Sequence, residues 1–293
     1  MTADELEQAR AEALANSVQG RRGEGVDSYR AQLTRCVGLV LDLFDKTDDL
    51  RNFDPTTLVS APELVEAARF LCAPPISADD LNSLSGYAVA KRKQIDLPAA
   101  GAAASVLRAL FDPVRLPWVA NGGAASQHDK RVAVMWTAGL WAAELQRTAR
   151  RTTESRRQKD AVFGALKAAG FTEQPRRRAL NTLDELPRGT FCDETLMDGA
   201  KCDVPVRLLD GRLLAIECKV SNSAINSVKR LLRETGNKAE RWRDAFGQQA
   251  LPAAVLSGVY RLGNLVEAQD TLQITIFWEH DLQKLGAFVT SAR

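Results

Sequence analysis

Glu217 and Lys219 stand two residues apart in the run Leu213-Leu214-Ala215-Ile216-Glu217-Cys218-Lys219-Val220. As a β-strand, this run places Leu214, Ile216, Cys218 and Val220 on one face and Glu217 and Lys219 on the other. So apolar a strand is expected to be buried, and buried charges need partners or a task. Upstream, Lys201 to Leu209 forms a second apolar, β-branched run with Asp203 near its start. Two carboxylates beside a lysine suit a hard divalent cation. Mg²⁺ is usually held by one or two carboxylates, with waters and substrate phosphate completing its octahedron. Such an ion stabilises charge on a phosphoryl oxygen and lowers the pKa of a bound water. The lysine can orient or deprotonate the attacking water, or meet the charge that builds on the phosphoryl group. The chemistry implied is metal-dependent hydrolysis of a phosphodiester.

Whether Asp203 takes part depends on the turn. Asp210-Gly211, between the two runs, is a strong hairpin signal. A two-residue turn would pair Leu209 with Arg212 and set Asp203 opposite Cys218, on the wrong face. A three-residue loop with Gly211 left-handed pairs Leu208 with Arg212 and sets Asp203 opposite Glu217. We expect the second register. Pro205 could mark a bulge. The plainer reading of the stretch is a hairpin with an exposed cross-strand ion pair. Asp193, Glu194 and Asp198 are rival carboxylates, but Asp203 alone begins an apolar run with the required facing.

Asp203 followed by Glu217-Cys218-Lys219 at the end of the next strand resembles the PD-(D/E)XK nuclease motif, with Cys202 where a proline is usual. The longer text KCDVPVRLLDGRLLAIECKVSNSAINSVKRL resembles more closely the XamI-type restriction endonucleases, and the similarity runs over most of the chain. The resemblance implies a type II restriction endonuclease that cuts both strands of double-stranded DNA at a short palindrome with Mg²⁺. Asp203 and Glu217 would hold the metal, and Lys219 would position and activate the water. GTCGAC is the site the resemblance suggests. A symmetric site implies a homodimer with one active site per strand. A cognate DNA methyltransferase is the expected functional partner. In nucleases of this resemblance the first core helix often contributes a glutamate near the metal, and Glu154 is that residue here. Its carboxylate could equally be meeting the positive end of a helix dipole. Two other readings stay open: another nuclease of this fold, acting in repair or junction resolution, and a non-enzymatic DNA-binding protein.

Composition is that of an ordinary globular protein, with 293 residues, 45% hydrophobic and 26% charged. No run approaches a membrane span, and MTADELEQAR does not read as a signal peptide. Five cysteines form no CxxC pair, so we expect reduced thiols, a cytoplasmic protein and no structural zinc. Cys218 should fill the buried face of its strand. The net charge of +2 is uneven: −4 over residues 1–146, +7 over 147–178 and −1 over 179–293. A basic block just before a phosphodiester site is the footprint of a nucleic-acid binder, although a solvated basic helix looks the same.

Residues 1–150 read as a mostly helical half, an accessory region that could grip DNA or dimerise. Helices are expected at 2–17, 27–45, 61–72, 78–93, 100–111 and 130–150. The second carries a stripe of Leu33, Cys36, Val37, Val40 and Leu41. Ser77 with Asp79-Asp80 looks like a helix start. Trp136 and Trp141 are most simply core residues or a dimer contact. Thr152-Thr153 should open a further helix, running to about Ala169. After Lys219, Ser221-Asn222-Ser223-Ala224-Ile225-Asn226 is a cap-rich helix start. Ile225, Val228 and Leu232 should face inward. Ser221, Asn222, Ser223 and Asn226 are placed for DNA contact, with Lys229, Arg230 and Arg233 on the phosphate backbone. His280 could suggest a metal, but Asp281 as a helix cap explains that stretch more simply. Residues 151–293 are expected to form an α/β PD-(D/E)XK core, a mixed β-sheet with one helix on either side.

Overall fold

The computed structural model describes residues 1–23 and 26–292, and the side chains of all of these except 21–23, 151, 226, 227, 229 and 230. The protein is mixed α/β, with a mostly helical N-terminal half and a mixed sheet in the C-terminal half. The chain divides into two compact units, residues 25–149 and residues 1–24 with 150–293. The first helix, Ala3–Gly23, therefore belongs with the sheet. Among the described residues no helix is long and apolar enough to cross a membrane.

The helical unit is built on short helices with clear end signals. Ser77 and Asp80 cap each other's backbone and start Ala78–Ser85, as the sequence predicts, although the helix stops at Gly86 rather than running to 93. In Val26–Lys46 the buried stripe is Cys36, Val40, Leu43 and Phe44. Leu41, expected inside, is exposed because it lies about 100° round the helix from Val40. Trp141 is core, stacked on Phe70, while Trp136 is half exposed under the Arg115 guanidinium. Arg115 is itself buried. Its Nε donates to Asp112 Oδ2 at 2.6 Å, Nη1 to Phe70 O and Thr137 Oγ1, and Nη2 to Cys72 O.

One helix, Gln127–Ala168, replaces the two expected around 130–150 and 152–169. Nothing between Arg147 and Thr153 is Gly or Pro, so the Thr152-Thr153 cap signal does not interrupt the helical ladder.

In the sheet unit, β1 is Thr172–Gln174, β2 Ala179–Leu180, β3 Thr190–Cys192, β4 Thr195–Met197, β5 Ala200–Cys202, β6 Val204–Arg207, β7 Leu213–Ser221, β8 Ala250–Gly258 and β9 Thr275–Trp278. The main sheet has the order β1-β3-β6-β7-β8-β9. β6 runs antiparallel to both its neighbours, β3 and β7, whereas β7, β8 and β9 are parallel. Parallel neighbours need crossovers. Residues 224–246 supply the one from β7 to β8, and residues 262–271 the one from β8 to β9.

A second, small sheet, β2-β4-β5, is formed within residues 179–202. Its hairpin turns at Asp198-Gly199, the same dipeptide signal as Asp210-Gly211.

Both faces of the main sheet are covered by more than the single helix expected. Val162, Leu166, Leu285 and Val289 pack on Leu214, Ile216, Cys218 and Val255. Leu6, Ala9, Leu231, Ala239 and Leu265 pack on Ala254, Leu256 and Trp278 on the other face. There Trp242 also meets Leu213 and Ala215.

Where β7 and β8 end, Gly258 has φ +94°, and a Cβ at that position would lie 2.1 Å from the Ser221 carbonyl oxygen. That oxygen already accepts from Val259 N at 2.7 Å. Gly258→Ala is thus expected to lower stability by roughly 1–3 kcal/mol from backbone strain alone. It should also displace Ser221-Asn222-Ser223. Thermal melting checks the first effect; an unchanged melting temperature would contradict the close approach.

Candidate active site

The hairpin takes the expected register. Val204 pairs with Ile216 and Arg207 with Leu213. Leu208 N donates to Arg212 O, and Gly211, with φ +94°, closes a three-residue loop. Pro205 pairs with Ala215 and introduces no bulge. One residue beyond Val204, Asp203 therefore stands opposite Glu217. Its Oδ2 accepts from Cys218 N at 2.8 Å, which ties it across the two strands.

Glu217 is fully buried. Lys219 Nζ lies 2.6 Å from its Oε2 and 4.0 Å from Asp203 Oδ2. A second ammonium, Lys238 Nζ on the helix Gly236–Phe246, meets the same Oε2 at 2.7 Å. The other oxygen, Oε1, is buried and has no donor among the described residues. Burial, and then the facing Asp203, push the Glu217 carboxyl above the ordinary range, against the pull of the two lysines. Burial works to lower the Lys219 ammonium, but Glu217 and Asp203 outweigh it and hold its pKa above the usual lysine value. Tyr260 Oη donates to Lys219 O at 2.8 Å and fixes the end of the strand. Cys218 packs in the opposite face as expected, its thiol pushed far up by burial.

Among the described residues no group of three or more His, Cys, Asp or Glu gathers as a metal site. The donor set is the pair Asp203 and Glu217. It fits Mg²⁺, which needs only one or two carboxylates when phosphate and waters supply the rest. The orphaned Oε1 is the observation that favours this fit, because a buried carboxylate oxygen without a partner is costly.

Glu154 lines a cleft of about 700 Å³ with Lys159, Asp193, Val220 and Asn222. Its Oε2 is buried with no donor among the described residues, and no hydrogen bond or ion pair joins it to Asp203, Glu217 or Lys219. Lys159 bonds Asp193 at 2.7 Å, and its charge is reinforced by Asp193 and Asp203 against burial. The rival carboxylates are accounted for: Asp193 by Lys159, Glu194 by Arg176 and Lys201, and Asp198 by Arg241 at the hairpin turn.

Ser221 is buried, and its hydroxyl donates to Ser223 O at 2.9 Å. Asn222 is on the cleft wall, Ser223 follows it, and Arg233 is exposed. The side chains of Asn226, Lys229 and Arg230 lie outside the described residues. Ile225, expected inside, is 75% exposed, whereas Leu231 and Thr235 are fully buried. Leu232, also expected inside, is partly buried against the core, and the π-type winding of Val228–Thr235, wider than 3.6 residues per turn, brings Leu231 and Thr235 inward as well. His280 pairs with Glu12 at 3.1 Å, and Asp281 bonds Lys284 rather than capping the last helix.

Sequence reasoning did not find Lys238 as a partner of Glu217. It lies 19 residues beyond Lys219 on the crossover helix, and no local pattern predicts which side chains such a helix brings back to the strand.

The sequence profile of the XamI restriction endonuclease family matches residues 48–278. The type II restriction enzyme XamI of Xanthomonas campestris pv. amaranthicola is 37% identical over 242 residues, covering 78% of this chain and 86% of that enzyme. No solved structure matches the chain significantly. The hairpin with its buried Glu217, Asp203 and Lys219 lies inside the matched span, and the chain belongs to the XamI restriction endonuclease family.

Proposed function

We propose that the protein is a type II restriction endonuclease with a PD-(D/E)XK core, which hydrolyses phosphodiester bonds in double-stranded DNA using Mg²⁺. The observation that carries the reading is Glu217: fully buried, facing Asp203, one oxygen held by two lysines and the other without a donor among the described residues. Asp203 and Glu217 would hold the ion. When bound, Mg²⁺ supplies charge stabilisation at a phosphoryl oxygen and acidifies water. Lys219 lies 2.6 Å from Glu217 and 4.0 Å from Asp203, so its part would be to orient the attacking water and to meet negative charge on the phosphoryl group. Glu154 sits on the cleft wall, where a carboxylate can address water or a neighbouring phosphate's ions.

The loop after β7 is the DNA side of this reading. Ser221 shapes the loop, Asn222 and Ser223 present polar groups, and Arg233 adds charge for the phosphate backbone. Asn226, Lys229 and Arg230 follow on the same segment. GTCGAC is the site we assign, read by a homodimer, with the helical half gripping DNA or joining the two copies. A methyltransferase of the same specificity would protect the host DNA. The five free, buried thiols support a cytoplasmic setting.

The test uses two plasmids that differ in one GTCGAC sequence, each incubated with the protein and Mg²⁺. Linear product from the first alone is expected. Cleavage at a different mapped sequence would replace GTCGAC and keep the endonuclease. Cleavage confined to branched DNA would favour a junction-resolving enzyme. No cleavage of any substrate by folded protein would overturn the reading.

A further inference from the structure

Two lysines, from two different elements, converge on one oxygen of Glu217. Lys219 comes from the strand itself. Lys238 comes from the crossover helix, whose neighbouring residues Ala239 and Trp242 are fully buried against the same face of the sheet. The helix backbone at Lys238 is thereby fixed, and the ammonium arrives at Oε2 from a rigid support. Its side chain is only 24% exposed, so little water competes for it.

A single lysine would have incompatible tasks here. To orient a water or meet a phosphate, Lys219 must be able to leave Oε2. Its departure would strand a fully buried carboxylate without a countercharge, an expensive state that would invite Glu217 to turn away or take up a proton. A second ammonium from another element removes the conflict. With Lys238 in place, Oε2 stays bound whatever Lys219 does, and Oε1 is left as the oxygen without a donor among the described residues.

We propose that Lys238 is a positioning residue. It anchors Oε2 of Glu217, keeps Oε1 directed to the divalent cation, and frees Lys219 for the substrate. This rests on the nuclease reading above. It assigns Lys238 no direct contact with DNA.

The test compares the wild type with Lys238→Met and Lys238→Arg in cleavage of a duplex containing the mapped site, over a range of Mg²⁺ concentrations. Direct Mn²⁺ binding, read from loss of the free-ion EPR signal, is measured in parallel. Partners that orient a metal ligand are typically worth about 10- to 100-fold in metal affinity or activity. The Met variant should lose that much in Mn²⁺ affinity and kcat, with KM for DNA changed by less than threefold. The Arg variant should recover most of the loss. A Met variant equal to the wild type in both readouts would overturn the proposal. So would a loss confined to KM, which would make Lys238 a phosphate contact. If Lys238→Met does not fold, the double variant with Glu217→Gln decides. Restored folding supports the pairing, because a neutral amide no longer needs the cation; a double variant that stays unfolded overturns it. A wild type that neither binds Mn²⁺ nor cleaves would defeat the nuclease reading itself, an outcome distinct from these.

Discussion

Glu217→Gln is expected to cut the rate of DNA cleavage by on the order of 1,000-fold while leaving duplex binding within a few-fold of the wild type. The amide keeps the shape of the side chain but removes the negative charge that faces Asp203. Metal-based charge stabilisation is worth several kcal/mol in a transition state, and each ~1.4 kcal/mol is a factor of ten in rate. Binding should survive because Glu217 is fully buried and cannot touch a phosphate. Single-turnover cleavage in Mg²⁺ reads the first effect, and duplex binding in Ca²⁺ the second. If Asp203, Glu217, Lys219 and Lys238 were only a structural ion-pair cluster, the pattern would invert: cleavage would track the fraction of folded protein and no more. A Gln variant that cleaves within tenfold of the wild type would remove Glu217 from the chemistry.

The second large effect concerns the helical unit. Arg115→Met should destabilise it by roughly 3–5 kcal/mol, the cost of breaking a buried charged pair by removing one partner. Arg115 is 3% exposed, and its guanidinium serves Asp112, the carbonyls of Phe70 and Cys72, and the Thr137 hydroxyl. Methionine fills much of the volume but satisfies none of these groups. A domain's total stability is only about 5–15 kcal/mol, so the loss should appear as a large fall in melting temperature. The pH dependence has a definite sign. Burial raises the Asp112 carboxyl, but bonds from Arg115 and from the backbone of Val114 and Arg115 outweigh it, so its folded pKa lies below the ordinary value. Its contribution is therefore complete above the unfolded value, near ~4, and is lost as pH falls through the folded pKa. The acid limb of the wild-type stability curve should flatten in Arg115→Met. A variant melting within a few degrees of the wild type would refute the assignment.

The core of the candidate site was legible because strands carry a strict two-residue period and Asp210-Gly211 fixes the turn. Once Gly211 closes a three-residue loop, the partner of every residue from Asp203 to Arg207 follows. What was illegible depended on long-range placement. Lys238 reaches Glu217 only because the crossover packs Ala239 and Trp242 onto the sheet. The inward side of that crossover could not be read at 3.6 residues per turn, since Val228–Thr235 winds more widely and turns Leu231 and Thr235 inward. The long helix Gln127–Ala168 hid behind a plausible cap at Thr152, because a capping residue permits a helix start without requiring one. The first helix joins the sheet unit through Leu6, Ala9 and Ala13, a contact that crosses most of the chain and leaves no local trace.

Digestion of unmethylated phage DNA by the wild-type protein, with Mg²⁺ and with excess chelator, tests the central claim most directly. Discrete fragments with Mg²⁺ and intact DNA with chelator are the predicted result. Equal fragmentation in chelator would contradict a carboxylate-held cation. Intact DNA in both, with duplex binding retained, would contradict hydrolysis altogether and leave a DNA-binding protein.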